Sequence, residues 1–240
     1  MEVALFVPCF IDQLYPNVAR QMIKVLEKVG CSIQYNANQT CCGQPAFNAG
    51  FWGESKQVCN KFINDMKGAQ YVVAPSASCV GFVRNYYAKL FKEGDAAYQE
   101  ALELGARTYE LTEFLVNVLK VTEVGASWNG KATYHDSCAA LRECANKEAP
   151  RKLLEHVAGL ELVEMEDVET CCGFGGTFAV KFEPISVAMG DQKINNAAAT
   201  GASHIISTDM SCLMHIDGCA KHKNLDLEVI HIAEILASGY

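Results

Sequence analysis

The sequence predicts an α/β fold of two similar lobes, each with a mostly parallel sheet, related as a pseudo-twofold internal repeat. Three observations predict it. A cysteine pattern occurs twice, short apolar runs of strand length alternate with segments of helical period, and each copy of the pattern follows those runs in the same order. Strands alternating with helices give parallel sheets, and open sheets of this kind bind ligands at the carboxyl ends of their strands.

Each half opens with a strand-like run leading to its first cysteine, Val3–Cys9 and Ala132–Cys138. The first run is almost wholly apolar, as a strand buried on both faces must be. Val18, Met22, Val25, Leu26 and Val29 then recur at helical spacing, and Gly30 is placed to end that helix. Second strands are expected at about Ser32–Tyr35 and about Leu162–Met165, leading into paired cysteines. After another helical segment, the runs Tyr71–Pro75 and His204–Ser207 form strands that stop just before a further cysteine. The halves close alike, with Tyr109–Leu115 matching Val229–Leu236. From the last cysteine of the pattern to the matched glutamate is 34 residues in one half (Cys79 to Glu113) and 22 in the other (Cys212 to Glu234). The first half therefore carries an insertion around Asn85–Arg107. The expected boundaries are 1–120 and 121–240, and each lobe is Rossmann-like in this broad sense.

The repeated pattern is Cys9, Cys41-Cys42-Gly43, Cys79 and then Cys138, Cys171-Cys172-Gly173, Cys212. The gaps are 32 and 37 residues in the first copy and 33 and 40 in the second, and together the copies use eight of the twelve cysteines. Thiolates are soft anionic ligands suited to iron–sulfur clusters, zinc or copper(I). The long gaps mean that the fold, not one local loop, assembles each site. Adjacent cysteines cannot share a direction on a regular strand or helix, so an irregular turn is needed, and Gly43 and Gly173 permit it. Iron–sulfur clusters fit this pattern best. Four thiolates also suit tetrahedral zinc, so residue types alone leave both open. Cys31 and Cys59 fall at core positions, and Cys144 and Cys219 lie within two helical turns of a patterned cysteine. His215, three residues after Cys212, is a candidate ligand or hydrogen-bond donor; His135, Asp136 and Arg142 flank Cys138.

The bulk composition excludes several classes. With 20 basic and 28 acidic residues the net charge is −8, and no basic run offers a nucleic-acid or anionic-membrane surface. No apolar stretch approaches the roughly 20 residues of a spanning helix, and the N-terminus has no signal-peptide pattern. A cytoplasmic chain is expected, peripheral to the inner face of a membrane at most. Thiols there stay reduced, which favours metal or redox chemistry over disulfides. Gly173–Gly176 lacks the spacing of a nucleotide loop and is read as a close backbone approach to the site. Flavin, nicotinamide and hydrolase fingerprints are absent.

Four segments, Phe6–Phe10, Gln39–Phe47, Cys171–Phe178 and Ser207–His215, make the chain resemble the cysteine-rich CCG domain family over essentially its whole length. That family includes the cysteine-rich subunit of heterodisulfide reductase, the iron–sulfur subunit of glycolate oxidase and a subunit of anaerobic glycerol-3-phosphate dehydrogenase. Its lactate-utilisation members are the most similar. The resemblance implies a redox subunit of a complex that oxidises L-lactate to pyruvate, with a ferredoxin-like iron–sulfur subunit and a small third subunit as partners. It implies one or two clusters, of 4Fe-4S type or noncubane, on Cys9, Cys41, Cys42, Cys79 and on Cys138, Cys171, Cys172, Cys212. In the heterodisulfide reductase member a fifth cysteine completes each site; here Phe82 and His215 hold that place. Two other readings remain at this stage, a zinc-stabilised scaffold and a thiol–disulfide reductase of the heterodisulfide type.

Overall fold

The computed structural model describes residues 1–240. The first half runs β1 (Glu2–Leu5), α1 (Cys9–Leu14), α2 (Pro16–Lys28), β2 (Ser32–Tyr35), α3 (Gln44–Asn48), α4 (Trp52–Asp65), β3 (Val72–Ala74), α5 (Ala77–Tyr86), α6 (Ala96–Ala106), β4 (Thr108–Glu110) and α7 (Leu111–Glu113). The second runs β5 (Ser127–Tyr134), α8 (Cys138–Arg142), α9 (Glu148–Leu154), β6 (Ala158–Leu162), α10 (Thr177–Lys181), α11 (Glu183–Ala199), β7 (His204–Ser207), α12 (Met210–His222), β8 (Glu228–His231) and α13 (Ile232–Leu236).

Two four-stranded parallel sheets result, ordered β2-β1-β3-β4 and β6-β5-β7-β8. The registers coincide. Ala4 pairs Val72 and Leu5 pairs Val73 in one sheet; Thr133 pairs Ile205 and Tyr134 pairs Ile206 in the other. Both sets lie at the same distances from the flanking cysteines, so the cysteine repeat is also a repeat of backbone pairing. The extra helix α6 fills the expected insertion and packs on α5. Two strand expectations shift. The first strands stop short of their cysteines, because Cys9 and Cys138 each open a helix. The strand expected at Leu162–Met165 lies earlier, at Ala158–Leu162, because β5 begins at Ser127 and draws its partner upstream through a bulge between Ser127 and Gly130.

The lobes pack with their repeat preserved. Helix α2 lies along α13, and the counterpart contact is α9 on α7; α1 meets α12, and its counterpart is α5 on α8. One apolar core runs through both lobes, from Val3, Leu5, Met22 and Leu26 to Ile206, Leu213, Ile232 and Leu236. A second, behind the first sheet, gathers Phe6, Phe62, Phe82 and Tyr87. No helix is long and apolar enough to cross a membrane.

Candidate metal centres

All eight patterned cysteines line one cavity of about 380 Å³ between the lobes. In each lobe they come from three elements in the same way. Cys9 and Cys138 start α1 and α8, the adjacent pairs sit in the loops before α3 and α10, and Cys79 and Cys212 lie in the first turns of α5 and α12. The loop turns on a glycine with positive φ, +91° at Gly43 and +94° at Gly173. That turn aims the Gly43 N–H at Cys41 Sγ and the Gly173 N–H at Cys171 Sγ, both at 3.4 Å. A serine from the following helix secures each loop. Ser55 donates to the Gly43 carbonyl at 3.1 Å, and Ser186 to the Gly173 carbonyl at 2.8 Å. These serines lie 12 and 13 residues after their glycines, a repeated spacing that the cysteine pattern alone does not reveal.

The four sulfurs of each lobe are neighbours, with Cys42 and Cys79 Sγ 3.5 Å apart. All twelve cysteines are free thiols. Crowding sets their proton affinities. Cys41 is pushed down to about 3 by hydrogen bonds from the Cys42 and Cys9 thiols, and Cys171 to about 2 by those from Cys138 and Cys172. The donors move up: Cys9 and Cys42 through Cys41, Cys138 and Cys172 through Cys171. Each array therefore contains a sulfur poised to be anionic, yet no Lys, Arg or His side chain lines the cavity. Four soft donors gathered with no cation on the cavity wall fit a thiophilic metal ion or an iron–sulfur cluster in each lobe.

The other candidates divide. His135 is fully buried at the end of β5, and neither ring nitrogen has a hydrogen-bond partner. Its ring nitrogen and the sulfurs of Cys172 and Cys212 lie within 4.8 Å of one another. Burial drives His135 down to about 3, so the ring is neutral. His215 is held differently. Its Nε2 lies 3.2 Å from the Ser186 carbonyl oxygen and 3.9 Å from Cys219 Sγ, behind the loop and off the cavity wall. Asp136 is occupied in a bidentate pair with Arg151, at 2.9 and 2.8 Å. Arg142 only opposes, by its charge, the upward push on Cys138 from Cys171 and burial. Cys31, Cys59, Cys144 and Cys219 are buried away from the cavity. Phe174, Gly175 and Gly176 do line it, the close backbone approach expected of that run.

Two further features escape sequence reasoning. Asp209 joins the lobes at the cavity floor, accepting from Ser76 Oγ at 3.0 Å, from the Ser78 N–H at 3.1 Å and from Ser137 Oγ. Lys193 is 1% exposed, with Nζ donating to the carbonyls of Asp167 and Val168 at 2.7 and 3.1 Å. A lysine inside an amphipathic helix reads as a solvated face, and only the packing shows otherwise.

The comparisons with known proteins agree with this geometry. The model of the cysteine-rich domain called CCG matches twice, at residues 3–84 and 132–217. The chain is 46% identical over 236 residues to lactate utilization protein A of Geobacillus thermodenitrificans, covering 98% of each. It is 44% identical over 238 residues to lactate utilization protein A of Bacillus licheniformis, covering 99% of this chain and 100% of that one. It is 42% identical to lactate utilization protein A 2 of Bacillus cereus, covering 100% of this chain and 99% of that one. Among solved structures, a hypothetical protein from Helicobacter pylori superposes with a TM-score of 0.62 at 11% identity. All of this chain is covered and 49% of that one, and the likeness is one of fold. Two matches to the family model, one on each half and each centred on a four-cysteine array, make this chain a member of the cysteine-rich CCG domain family.

Proposed function

We propose that the chain is an iron–sulfur electron-transfer subunit of a system that oxidises L-lactate, with lobes at 1–120 and 121–240 each holding one centre. The observation that carries this reading is the pair of matching four-thiol arrays facing a single cavity. Cys9, Cys41, Cys42 and Cys79 would hold one group, and Cys138, Cys171, Cys172 and Cys212 the other. A cluster bound there supplies one-electron transfer at a potential that the protein tunes. The chain's own residues do the rest. Gly43 and Gly173 offer backbone N–H groups to coordinating sulfurs, which stabilises their negative charge. Phe10, Ile11, Pro45, Phe174 and Met210 keep the wall apolar and limit water. Asp209 and its three donors hold the lobes, and so the two arrays, in fixed relation.

Substrate oxidation is assigned to a partner. A lactate carboxylate calls for an arginine or lysine clamp, and the cavity wall offers none. The relatives are named for lactate utilization, which supports that pathway for this chain. In this reading the chain works in a cytoplasmic assembly with a ferredoxin-like subunit and a small third subunit. The test is iron, zinc and acid-labile sulfide per chain on anaerobically purified protein, with EPR on the same sample. About eight iron and eight sulfide per chain support two four-iron centres. Zinc without sulfide would turn the arrays into structural sites and remove the redox role.

A further inference from the structure

We propose that the two centres are electrochemically unequal, with the second lobe's centre at the higher potential because His135 and Lys193 stand where the first lobe has Phe6 and Phe62. This inequality rests on the reading that the arrays hold redox clusters.

The equivalence of these positions is geometric. Phe6 donates its N–H to the Val73 carbonyl at 2.9 Å, and His135 donates to Ile206 at 2.8 Å. Val73 and Ile206 occupy the same register in the two sheets. On the helices, Phe62 lies seven residues beyond Ser55, and Lys193 seven beyond Ser186. Those serines make the same bond to the same glycine carbonyl. In the first lobe Phe6 and Phe62 meet edge to face at 4.6 Å, sealing the floor behind Cys42 with hydrocarbon. In the second lobe the same floor carries an imidazole and an ammonium group.

The two basic groups differ in what they offer. His135 brings a ring N–H that no protein atom accepts, beside the sulfurs of Cys172 and Cys212. A sulfur of the bound group is the acceptor this donor lacks. Lys193 is anchored by two carbonyls, which leaves it one further N–H. Burial pulls the proton affinity of Lys193 down, and the acidic groups around it, Cys172, Asp167, Asp136 and Cys138, oppose that pull. Adding an electron makes a centre more negative, so a nearby N–H donor and a fixed positive charge favour the reduced form. Two phenylalanines provide neither. The first centre is therefore the donor and the second the acceptor, and an electron entering the chain settles in the second lobe.

The experiment is an EPR-monitored redox titration of the anaerobic, cluster-loaded chain. Cys42→Ser and Cys172→Ser each remove one centre and so assign the two waves. The expected result is that the wave lost with Cys172→Ser is the higher one. His135→Phe and Lys193→Met should each lower that wave alone by a tenfold change in the reduction equilibrium, about 59 mV for a one-electron couple. Nitrogen-15 labelling of histidine should alter the hyperfine pattern of the second centre only, and His135→Phe should abolish that change. If either variant loses its iron, Phe6→His answers the same question from the other side by raising the first wave. Coincident waves, a lower second wave, or waves indifferent to all three substitutions would overturn the inequality while leaving the clusters in place. Protein that binds zinc and no sulfide would instead overturn the redox reading itself.

Discussion

The two lobes share what holds a metal and differ in what surrounds it. Cysteines, turn glycines, anchoring serines and strand register all coincide. Behind them, Phe6, Phe62 and Phe82 in the first lobe correspond to His135, Lys193 and His215 in the second. Positions that must meet a geometric demand are alike in the two lobes. Positions that only fill volume in the first lobe carry charge and hydrogen-bonding capacity in the second. A repeat of this kind lets one lobe serve as the control for the other.

Removing a ligand gives the largest expected effect. Cys172→Ser and Cys42→Ser should each lose about half of the bound iron, since serine is a hard and weakly acidic ligand for iron. Iron analysis on matched preparations checks this. Loss of all iron from either variant would show that the arrays share one group across the cavity, and the two-centre comparison would fall.

The lobe-joining ends of β4 and β8 differ as sharply. Glu110 and His231 hold the same register, paired with Ala74 and Ser207, and each caps the helix that follows. Glu110 is buried and raised to about 8 by desolvation, although Thr112 and Asn146 donate to it. The folded chain therefore binds a proton there that the unfolded chain has released, and stability falls as pH rises from about 4.5 to 8, by roughly 1.4 kcal/mol per unit at most. His231 is lowered by burial, so the unfolded chain binds the extra proton and stability falls as pH drops below 6.5. Glu110→Gln should remove its downward slope from a denaturation-midpoint profile between about pH 4.5 and 8, while the loss below 6.5 that comes from His231 stays. An unchanged profile would mean that Glu110 is not neutral in the folded protein.

The turn glycines offer a smaller contrast. Alanine at either position is strained by the positive φ, at a cost of about 1–2 kcal/mol. A Cβ at Gly43 would meet Ser55 Oγ at 3.3 Å, a side chain that can rotate; at Gly173 it would meet the Ser186 carbonyl oxygen at 2.5 Å. Gly173→Ala should therefore destabilise by about 1 kcal/mol or more beyond Gly43→Ala, since packed backbone moves less easily than a side chain. Urea unfolding of the two variants decides it; equal costs would show that the second loop yields as readily as the first.

How much of this was legible in the sequence follows from what each residue does. The cysteine spacing carried the repeat, the succession of strands along each half and the insertion, because ligand geometry fixes those positions in the chain; the sheet order came only from the fold. The paired glycines announced a turn that other residues make only under strain. Strand ends were misplaced around Leu162 because pairing with β5, not local pattern, sets where β6 begins. Lys193 was invisible for the opposite reason: a lysine at helical spacing is ordinary, and only the carbonyls of a distant loop explain its burial. His135 and His215 both sit three residues from a patterned cysteine, and the sequence reading favours His215 as the candidate ligand. The end of a strand turns His135 toward the sulfurs, whereas the second turn of α12 turns His215 behind the loop.

That ranking supplies the smallest expected effect. His215→Phe converts the second lobe to the residue of the first at this position. Its Nε2 contacts the Ser186 carbonyl at 3.2 Å and Ser186 Oγ at 3.4 Å, so the substitution removes one weak anchor of the loop, worth about 1 kcal/mol. The site also has less to pack against than Phe82, which lies among Phe47, Tyr86 and Tyr87. The imidazole sits against Gly190, where the first lobe has Cys59. Iron content should therefore be unchanged, the unfolding midpoint slightly lower, and the second redox wave unmoved. If His215→Phe shifted that wave as far as His135→Phe does, the imidazole behind the loop rather than the one at the strand end would be tuning the centre. The lobes would then differ through the helix after Cys212 instead of through the strand before Cys138.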